Sequence, residues 1–282
     1  HNTVAQLAPH LTTLEMDQGE SSRIIPLNNA SNQKPIFCVH PGAGFGTVYR
    51  DLAISFGNTR SFWGIQARGF EDHEDPEVNI EKMAEDYIHL MKLVQKDGPY
   101  TVLGWSLGGI IAHEIVAKLE ANGEEVDRLI LLDTQTSTPL DEDFLNASLE
   151  DATHKLFNKW QKVIPGNENI EINTHAERVN FLKTQLIIDG LIPQNTPDEV
   201  IDKVLLQLVT NPIRLFNHKL KIINTPITLF KATIKNDLEE GLMEWERYTK
   251  GEIKEISVET SHYRMLDKDP AAIISRHIKI SL

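Results

Sequence analysis

The segment Gly104 to Gly108, GWSLG, places a serine between two glycines directly after an apolar run. This GxSxG spacing is typical of a nucleophilic serine on a sharp turn from a strand into a helix. Side chains at Gly104 or Gly108 would collide with the neighbouring strand or helix, so the glycines permit the strained backbone that Ser106 needs. The helix that follows would offer its N-terminal N–H groups to a developing anion. A serine that only caps a helix would explain Ser106 without the flanking glycines.

A serine hydroxyl needs a base to remove its proton and an acid to orient that base. His262 is the candidate base, because it lies between the last apolar run and a terminal helical pattern. Asp133 is the preferred acid, because it directly ends the run that follows the serine. Asp237, in a polar segment beyond a later run, is the alternative, and a solvated Asp133 also stays open. The chain order Ser, Asp, His is the one expected of an α/β-hydrolase.

The remaining histidines that lie in helical stretches or in the central insertion are expected to be surface or packing residues. These are His113, His154, His175, His218 and His277.

Acyl transfer also needs hydrogen-bond donors for an oxyanion. The backbone N–H of Leu107 is one candidate, and the glycine-rich segment HPGAGFG supplies the second from Gly42 or Ala43. The same segment could be a tight turn with no further role. It does not match GxxxxGK[ST], and no GxGxxG opens a helix here, which argues against phosphate binding. Residues 71–75 (EDHED) are all possible metal ligands, but consecutive ligands rarely converge on one ion, so we expect a solvated loop and no metal site.

Alternating apolar runs and helical patterns predict the elements that position these residues. Strands are expected at residues 23–27, 35–39, 61–65, 100–104, 128–132, 227–230 and 252–258. Amphipathic helices are expected over residues 80–94 and after the serine over 110–119. This alternation predicts an α/β protein with a mostly parallel central sheet flanked by helices. Residues of about 138–220 show helical spacing only, which predicts a helical insertion over one edge or the top of the sheet.

Composition limits the possible partners and compartment. The 282 residues carry 41 acidic and 28 basic side chains, a net charge of −13 that argues against nucleic-acid binding. No apolar run reaches the roughly 18 to 20 residues that span a bilayer, so no membrane association is expected. The one cysteine, Cys38, is expected to be a buried apolar residue and fits a reducing, cytoplasmic setting. The chain starts with His1 and lacks a charged-then-apolar leader, so we expect no export signal and a fragment of a longer protein.

The chain resembles the type I thioesterase domains that end nonribosomal peptide synthetases, members of the α/β-hydrolase superfamily. The resemblance covers residues 24–282 and rests on five segments in this order: IFCVHPGAGFGTVYRDLA, FWGIQARG, YTVLGWSLGGIIAHEIVAKLEANGEEV, LILLDTQ and SHYRML. It implies that residues 23–282 form one thioesterase domain and that the insertion forms a lid over its substrate channel. It also implies that Asp133 is the acid of the catalytic triad. Residues 1–22 are similar to the last helix of a peptidyl carrier domain followed by a linker.

This resemblance implies that Ser106 accepts a peptidyl or acyl group from the phosphopantetheine thioester of the upstream carrier domain in the same synthetase. No cofactor would bind directly. Water would then release a linear acid, and an internal amine or hydroxyl would release a ring. Two other functions stay open: a freestanding editing thioesterase, carboxylesterase or lipase of the same fold, and a non-catalytic docking module. An intact Ser-His-Asp set argues against the docking module.

Overall fold

The computed structural model describes residues 23–30, 34–70, 77, 79–136, 148–163, 171–234 and 243–281. Three sequence predictions lie outside these residues. They concern the carrier-like helix and linker over 1–22, the acidic loop at 71–75, and Asp237.

A single sheet runs through the described part of the chain. Its strands are β1 Ile24–Pro26, β2 Ile36–Val39, β3 Phe62–Ile65, β4 Tyr100–Trp105, β5 Val126–Leu132, β6 Ile227–Ile234 and β7 Ile253–Ser261. The spatial order is β1-β3-β2-β4-β5-β6-β7, and every neighbouring pair is parallel except β1 with β3. The predicted mostly parallel sheet is therefore confirmed. Since β2, β4, β5, β6 and β7 run the same way, their carboxyl ends meet at one edge.

The last two strands are longer than the sequence predicts. Strand β6 continues four residues beyond the expected end at 230, and it pairs with β7 through Lys231↔Ser257 and Ala232↔Val258. In β7, buried Ile256, Val258 and Thr260 alternate with exposed residues. A half-solvated strand shows alternation instead of a continuous apolar run, so a search for apolar runs stops too early there.

Helices cover both faces of the sheet. They are α1 Arg50–Phe56, α2 Ile80–Val94, α3 Leu107–Ala121 and α7 Lys268–Ser281. Helix α2 buries one face, as predicted. Every residue of helix α3 from Leu107 to Val116 is buried, so the first half of the helix lacks the solvent-facing polar side of an amphipathic helix. It packs against β4, β5 and α2, and the two polar side chains in this half, His113 and Glu114, are themselves buried.

The described part of the insertion is helical, as predicted. Its helices are α4 Leu149–Val163, α5 His175–Ile188 and α6 Asp198–Asn217. Trp160, Leu186 and Val204 from these helices belong to the same buried hydrophobic cluster as Ile130 and Phe230 of the sheet. The insertion therefore packs onto the sheet and shares its core.

Candidate active site

Ser106 occupies a strained turn between β4 and α3. Its φ of 56° and ψ of −125° lie in a region that residues with a side chain rarely adopt. A Cβ on Gly104 would lie 2.2 Å from the carbonyl oxygen of Gly108, and a Cβ on Gly108 would lie 2.4 Å from that of Val39. Both glycines are therefore required by close packing, as the sequence predicts.

A third glycine that the sequence analysis did not single out also shapes this turn. A Cβ on Gly109 would lie 2.0 Å from Oγ1 of Thr134, which follows β5. The first turn of α3 therefore packs directly against the end of the neighbouring strand. The Gly-Gly pair at 108 and 109 was the available sequence signal.

The structure brings Ser106, His262 and Asp133 together in one hydrogen-bonded chain. His262 begins a 3-10 helix, His262–Arg264, immediately after β7. Its Nε2 lies 3.1 Å from Oγ of Ser106, and its Nδ1 lies 2.8 Å from Oδ2 of Asp133. An ionised carboxylate only accepts hydrogen bonds, so Nδ1 carries the proton and Nε2 can accept the serine proton.

Asp133 is buried, which argues against the solvated alternative. Only 1% of the residue is exposed, and its φ is 43°, a left-handed conformation that aspartate tolerates better than most residues. Its Oδ1 accepts a hydrogen bond from the backbone N–H of Ala232 at 2.9 Å. This second bond fixes the carboxylate so that Oδ2 faces the imidazole of His262.

One reason given for preferring Asp133 over Asp237 needs correction. The sequence places Asp237 seven residues beyond a strand that ends at 230, but β6 ends at Ile234, so Asp237 follows the strand by only three residues. Distance from the strand end therefore separates the two acids poorly. The hydrogen bond between Asp133 and His262 is the observation that favours Asp133.

Aromatic rings hold the imidazole of His262. The ring of Trp105, which is buried at the end of β4, lies 5.6 Å from it between centroids. The ring of Tyr263 meets it edge-on at 5.2 Å. These contacts limit the rotation of the imidazole, and neither was predicted. The contact with Trp105 depends on how β4 and β7 are placed in the sheet.

The segment after β2 forms the loop expected to complete an oxyanion site. Val39 pairs with Gly104, so this loop lies next to the serine turn. The N–H of Gly44 donates to the carbonyl of Pro41 at 2.9 Å. The N–H groups of Gly42 and Ala43 are then the candidates for a bound oxyanion, together with that of Leu107 at the start of α3.

Two buried side chains that the sequence analysis did not assign hold this loop. His40 hydrogen-bonds the carbonyl of Pro41 through Nδ1 at 2.8 Å and the hydroxyl of Tyr87 through Nε2 at 2.5 Å. Burial lowers the pKa of His40 to about 4, so the ring is neutral at pH 7, and the carbonyl requires the proton on Nδ1. The hydroxyl of Tyr49 donates to Val39 at 2.6 Å and accepts from the N–H of Trp105 at 2.9 Å.

The five histidines expected to be surface or packing residues are so placed in the structure. His113 is buried beside Trp245, with ring centroids 5.3 Å apart, and burial lowers its pKa to about 4. His218 is bonded to Glu81 at 2.8 Å, and the ring of His277 lies against Phe230. His154 and His175 are exposed on the insertion.

Among the residues that the structure describes, no group of three or more His, Cys, Asp or Glu side chains is arranged to hold a metal ion. None of the helices placed by the structure combines the length and apolarity needed to cross a membrane.

The parallel sheet, the serine at its strand-to-helix turn and the histidine after its last strand define an α/β-hydrolase fold. The sequence model of the thioesterase domain matches residues 34–280, and the chain therefore belongs to the thioesterase domain family.

Several relatives are much longer enzymes, and this chain matches only a part of each. A dimodular nonribosomal peptide synthase from Bacillus subtilis (strain 168) is 29% identical over 291 residues, which cover 99% of this chain and 12% of the synthase. The four-domain nonribosomal peptide synthetase holo-AB3403 matches in structure with a TM-score of 0.74 and 21% identity, over 98% of this chain and 21% of that one. The thioesterase domain SrfTE, described as cyclising the lipopeptide antibiotic surfactin, matches with a TM-score of 0.65 and 20% identity, over 93% of this chain and 98% of that domain. The two structural matches show a shared fold.

Proposed function

We propose that this chain is a chain-releasing thioesterase that transfers an acyl or peptidyl group from a carrier-bound thioester to Ser106. The observation that carries the proposal is the hydrogen-bonded chain from Ser106 through His262 to Asp133 in a member of the thioesterase domain family. This hydrogen-bonded arrangement of three side chains supplies the base that a serine hydroxyl needs.

In the first step, Nε2 of His262 takes the Ser106 proton while Oγ attacks the thioester carbonyl carbon. The C–S bond then breaks, the thiolate takes the proton from His262, and an acyl-serine ester remains. The carboxylate of Asp133 stabilises the imidazolium between these events. The N–H of Leu107, with that of Gly42 or Ala43, holds the oxyanion of the tetrahedral intermediate.

In the second step, a nucleophile with an O–H or N–H group gives its proton to His262 and attacks the ester carbonyl. The bond between the carbonyl carbon and Oγ of Ser106 then breaks, and Oγ takes the proton from His262, which restores the free serine. Water produces a linear acid, whereas a hydroxyl or amine of the same acyl chain produces a ring. The helices of the insertion lie over the core and decide which nucleophile reaches the ester. Exclusion of water from the site would favour the ring.

We further propose that the substrate arrives on the phosphopantetheine arm of an upstream carrier domain in the same synthetase. The support is that relatives are multidomain synthetases, of which this chain matches a small part. The carrier-like segment over residues 1–22 agrees with this order of domains. We place the reaction in the cytoplasm, which the single buried cysteine, Cys38, supports.

The test compares hydrolysis of one acyl group presented on a loaded carrier domain, on N-acetylcysteamine and as a p-nitrophenyl ester. We expect kcat/KM to be highest for the carrier-bound thioester and to vanish for every substrate in Ser106→Ala. Indifference to the carrier together with faster cleavage of the p-nitrophenyl ester would instead identify an esterase. Product mass then separates an acid from a ring, which differ by one water.

A further inference from the structure

Helix α6 of the insertion carries a buried polar cluster that faces the loop after β2. Gln207, Asn211 and Arg214 are only 3%, 6% and 5% exposed. Nη1 of Arg214 donates to Oε1 of Gln207 and to Oδ1 of Asn211, both at 2.8 Å. Because a guanidinium only donates, the amide oxygens of both side chains face Arg214. The amide nitrogens of Gln207 and Asn211 are then directed to other acceptors.

The amide nitrogen of Asn211 reaches the loop that is expected to hold an oxyanion. Its Nδ2 donates to the carbonyl oxygen of Gly42 at 2.8 Å. A Cβ built on Gly42 would lie 3.4 Å from Cδ2 of Leu208 and 3.6 Å from Nδ2 of Asn211. The backbone at Gly42 therefore rests directly on α6.

The carbonyl of Gly42 and the N–H of Ala43 belong to one peptide unit. In a trans peptide these two groups are coplanar and point in opposite directions. Since the carbonyl points at α6, the N–H of Ala43 points away from the helix. The serine turn meets the other end of this segment, where a Cβ on Gly108 would lie 2.6 Å from the carbonyl oxygen of His40.

We propose that Asn211 is a positioning residue that holds this peptide unit so that the N–H of Ala43, and not that of Gly42, is the second oxyanion donor. This inference rests on the proposed acyl transfer at Ser106. It makes the position of an insertion helix a determinant of transition-state stabilisation. A shift of α6 away from the loop would release the peptide and weaken the site.

Asn211 could instead serve only to anchor the insertion to the loop. Gln207, on the same helix, makes a comparable anchoring bond and therefore serves as the control for that alternative. Nε2 of Gln207 donates to the carbonyl of Arg68 at 2.7 Å, and Nζ of Lys203 donates to that of Phe70 at 2.8 Å. Gln207 therefore makes the same kind of bond as Asn211, shares Arg214 as a donor, and anchors α6 to a backbone carbonyl outside the Gly42–Ala43 peptide.

The experiment compares Asn211→Asp with Gln207→Glu, using an acyl-N-acetylcysteamine thioester. Each change keeps an acceptor for Arg214, adds one carboxylate beside it, and removes one donor to a loop carbonyl. Loss of an oxyanion donor costs about 100- to 1000-fold in kcat, so a misplaced donor in Asn211→Asp should cost about 10-fold or more. We expect KM to stay within about twofold, because the oxyanion forms only in the transition state, and kcat of Gln207→Glu to stay within about threefold.

An unchanged kcat in Asn211→Asp, a rise in KM alone, or an equal kcat loss in Gln207→Glu would overturn the inference. If Asn211→Asp does not melt cooperatively at a temperature near the wild type, Asn211→Ser replaces it, with the same expectation.

Phenylboronic acid gives a second measurement, since its tetrahedral adduct on Ser106 carries an oxygen into the oxyanion site. Its Kd should rise about 10-fold in the Asn211 variant and not in Gln207→Glu. Ser106→Ala identifies the source of a failure: wild-type turnover there defeats the proposed function itself, whereas an inactive Ser106→Ala beside a normal Asn211 variant defeats only this inference.

Discussion

At the scale of single residues, the site depends on how the Asp133 carboxylate is held. Both of its oxygens are engaged, one by the N–H of Ala232 and the other by the imidazole of His262. A carboxylate buried in this way keeps its orientation without the help of solvent. It therefore fixes the tautomer of His262 in which Nε2 faces Ser106.

Replacing this carboxylate by an amide should disable the base. In Asp133→Asn, the amide can present its NH2 group to Nδ1, which favours the tautomer with the proton on Nε2 and leaves Ser106 without an acceptor. We expect kcat for thioester cleavage to fall by about 10³- to 10⁴-fold. Asp237→Asn is the matched control and should remain within about threefold of the wild type. The reverse ranking in steady-state assays would transfer the role of the acid to Asp237.

The residues of the site differ in how far the sequence could predict them. Ser106 and His262 carry local signals, a glycine-flanked turn and a position after the last strand, and the structure brings them together. The choice between the acids needed the hydrogen bond between Asp133 and His262, which joins residues far apart in the chain. Trp105 packs against His262, and Tyr49 accepts from the N–H of Trp105. Both contacts join residues far apart in the chain, so no local pattern could assign them.

At the scale of elements, the turn between β4 and α3 depends on glycine for space. A Cβ at position 104 would meet backbone atoms of Gly108 and Gly109 at 2.2 to 2.5 Å, and backbone cannot move aside as a side chain can. The turn also directs Ser106 toward the imidazole. The close packing at this turn and the orientation of the Ser106 hydroxyl therefore depend on the same backbone atoms.

Gly104→Ala should both destabilise the fold and reduce activity. We expect a loss of about 3 kcal/mol or more in the free energy of unfolding, because overpacking here displaces backbone. Gly123→Ala is the control, since Gly123 has a φ of +76° with nothing within 4 Å of an added Cβ, and its backbone strain should cost only about 1 kcal/mol. Urea denaturation monitored by circular dichroism measures both. Equal stability losses would show that close packing at the turn is not limiting.

The elements themselves were largely predictable, and the exceptions have physical causes. Short β-rich runs located every strand that the structure describes. The clearest are β2 and β4, which are buried on both faces. The burial of α3 on all sides was missed, because its helical spacing was interpreted as one apolar face when the whole first half is enclosed. The spacing of apolar residues indicates a helix, but it does not show how many sides of that helix are packed against other elements.

At the scale of the whole molecule, the order of strands creates the site. Ser106, Asp133 and His262 directly follow β4, β5 and β7, respectively. The parallel sheet gathers the ends of these strands at one edge. The fold class was predictable from alternation of strands and helices. The order β1-β3-β2-β4 and the docking of α6 on Gly42 were not, because both depend on contacts between residues far apart in the chain.

The most direct test of the account is peptide-level mass spectrometry of the protein, quenched within milliseconds of mixing with an acyl thioester. The account predicts an added acyl mass on the peptide that contains Ser106, and its disappearance as product forms. The same adduct should be absent in His262→Ala, because the serine then has no base. Turnover that continues with Ser106 unmodified, or an acyl group found on a different residue, would contradict the central claim.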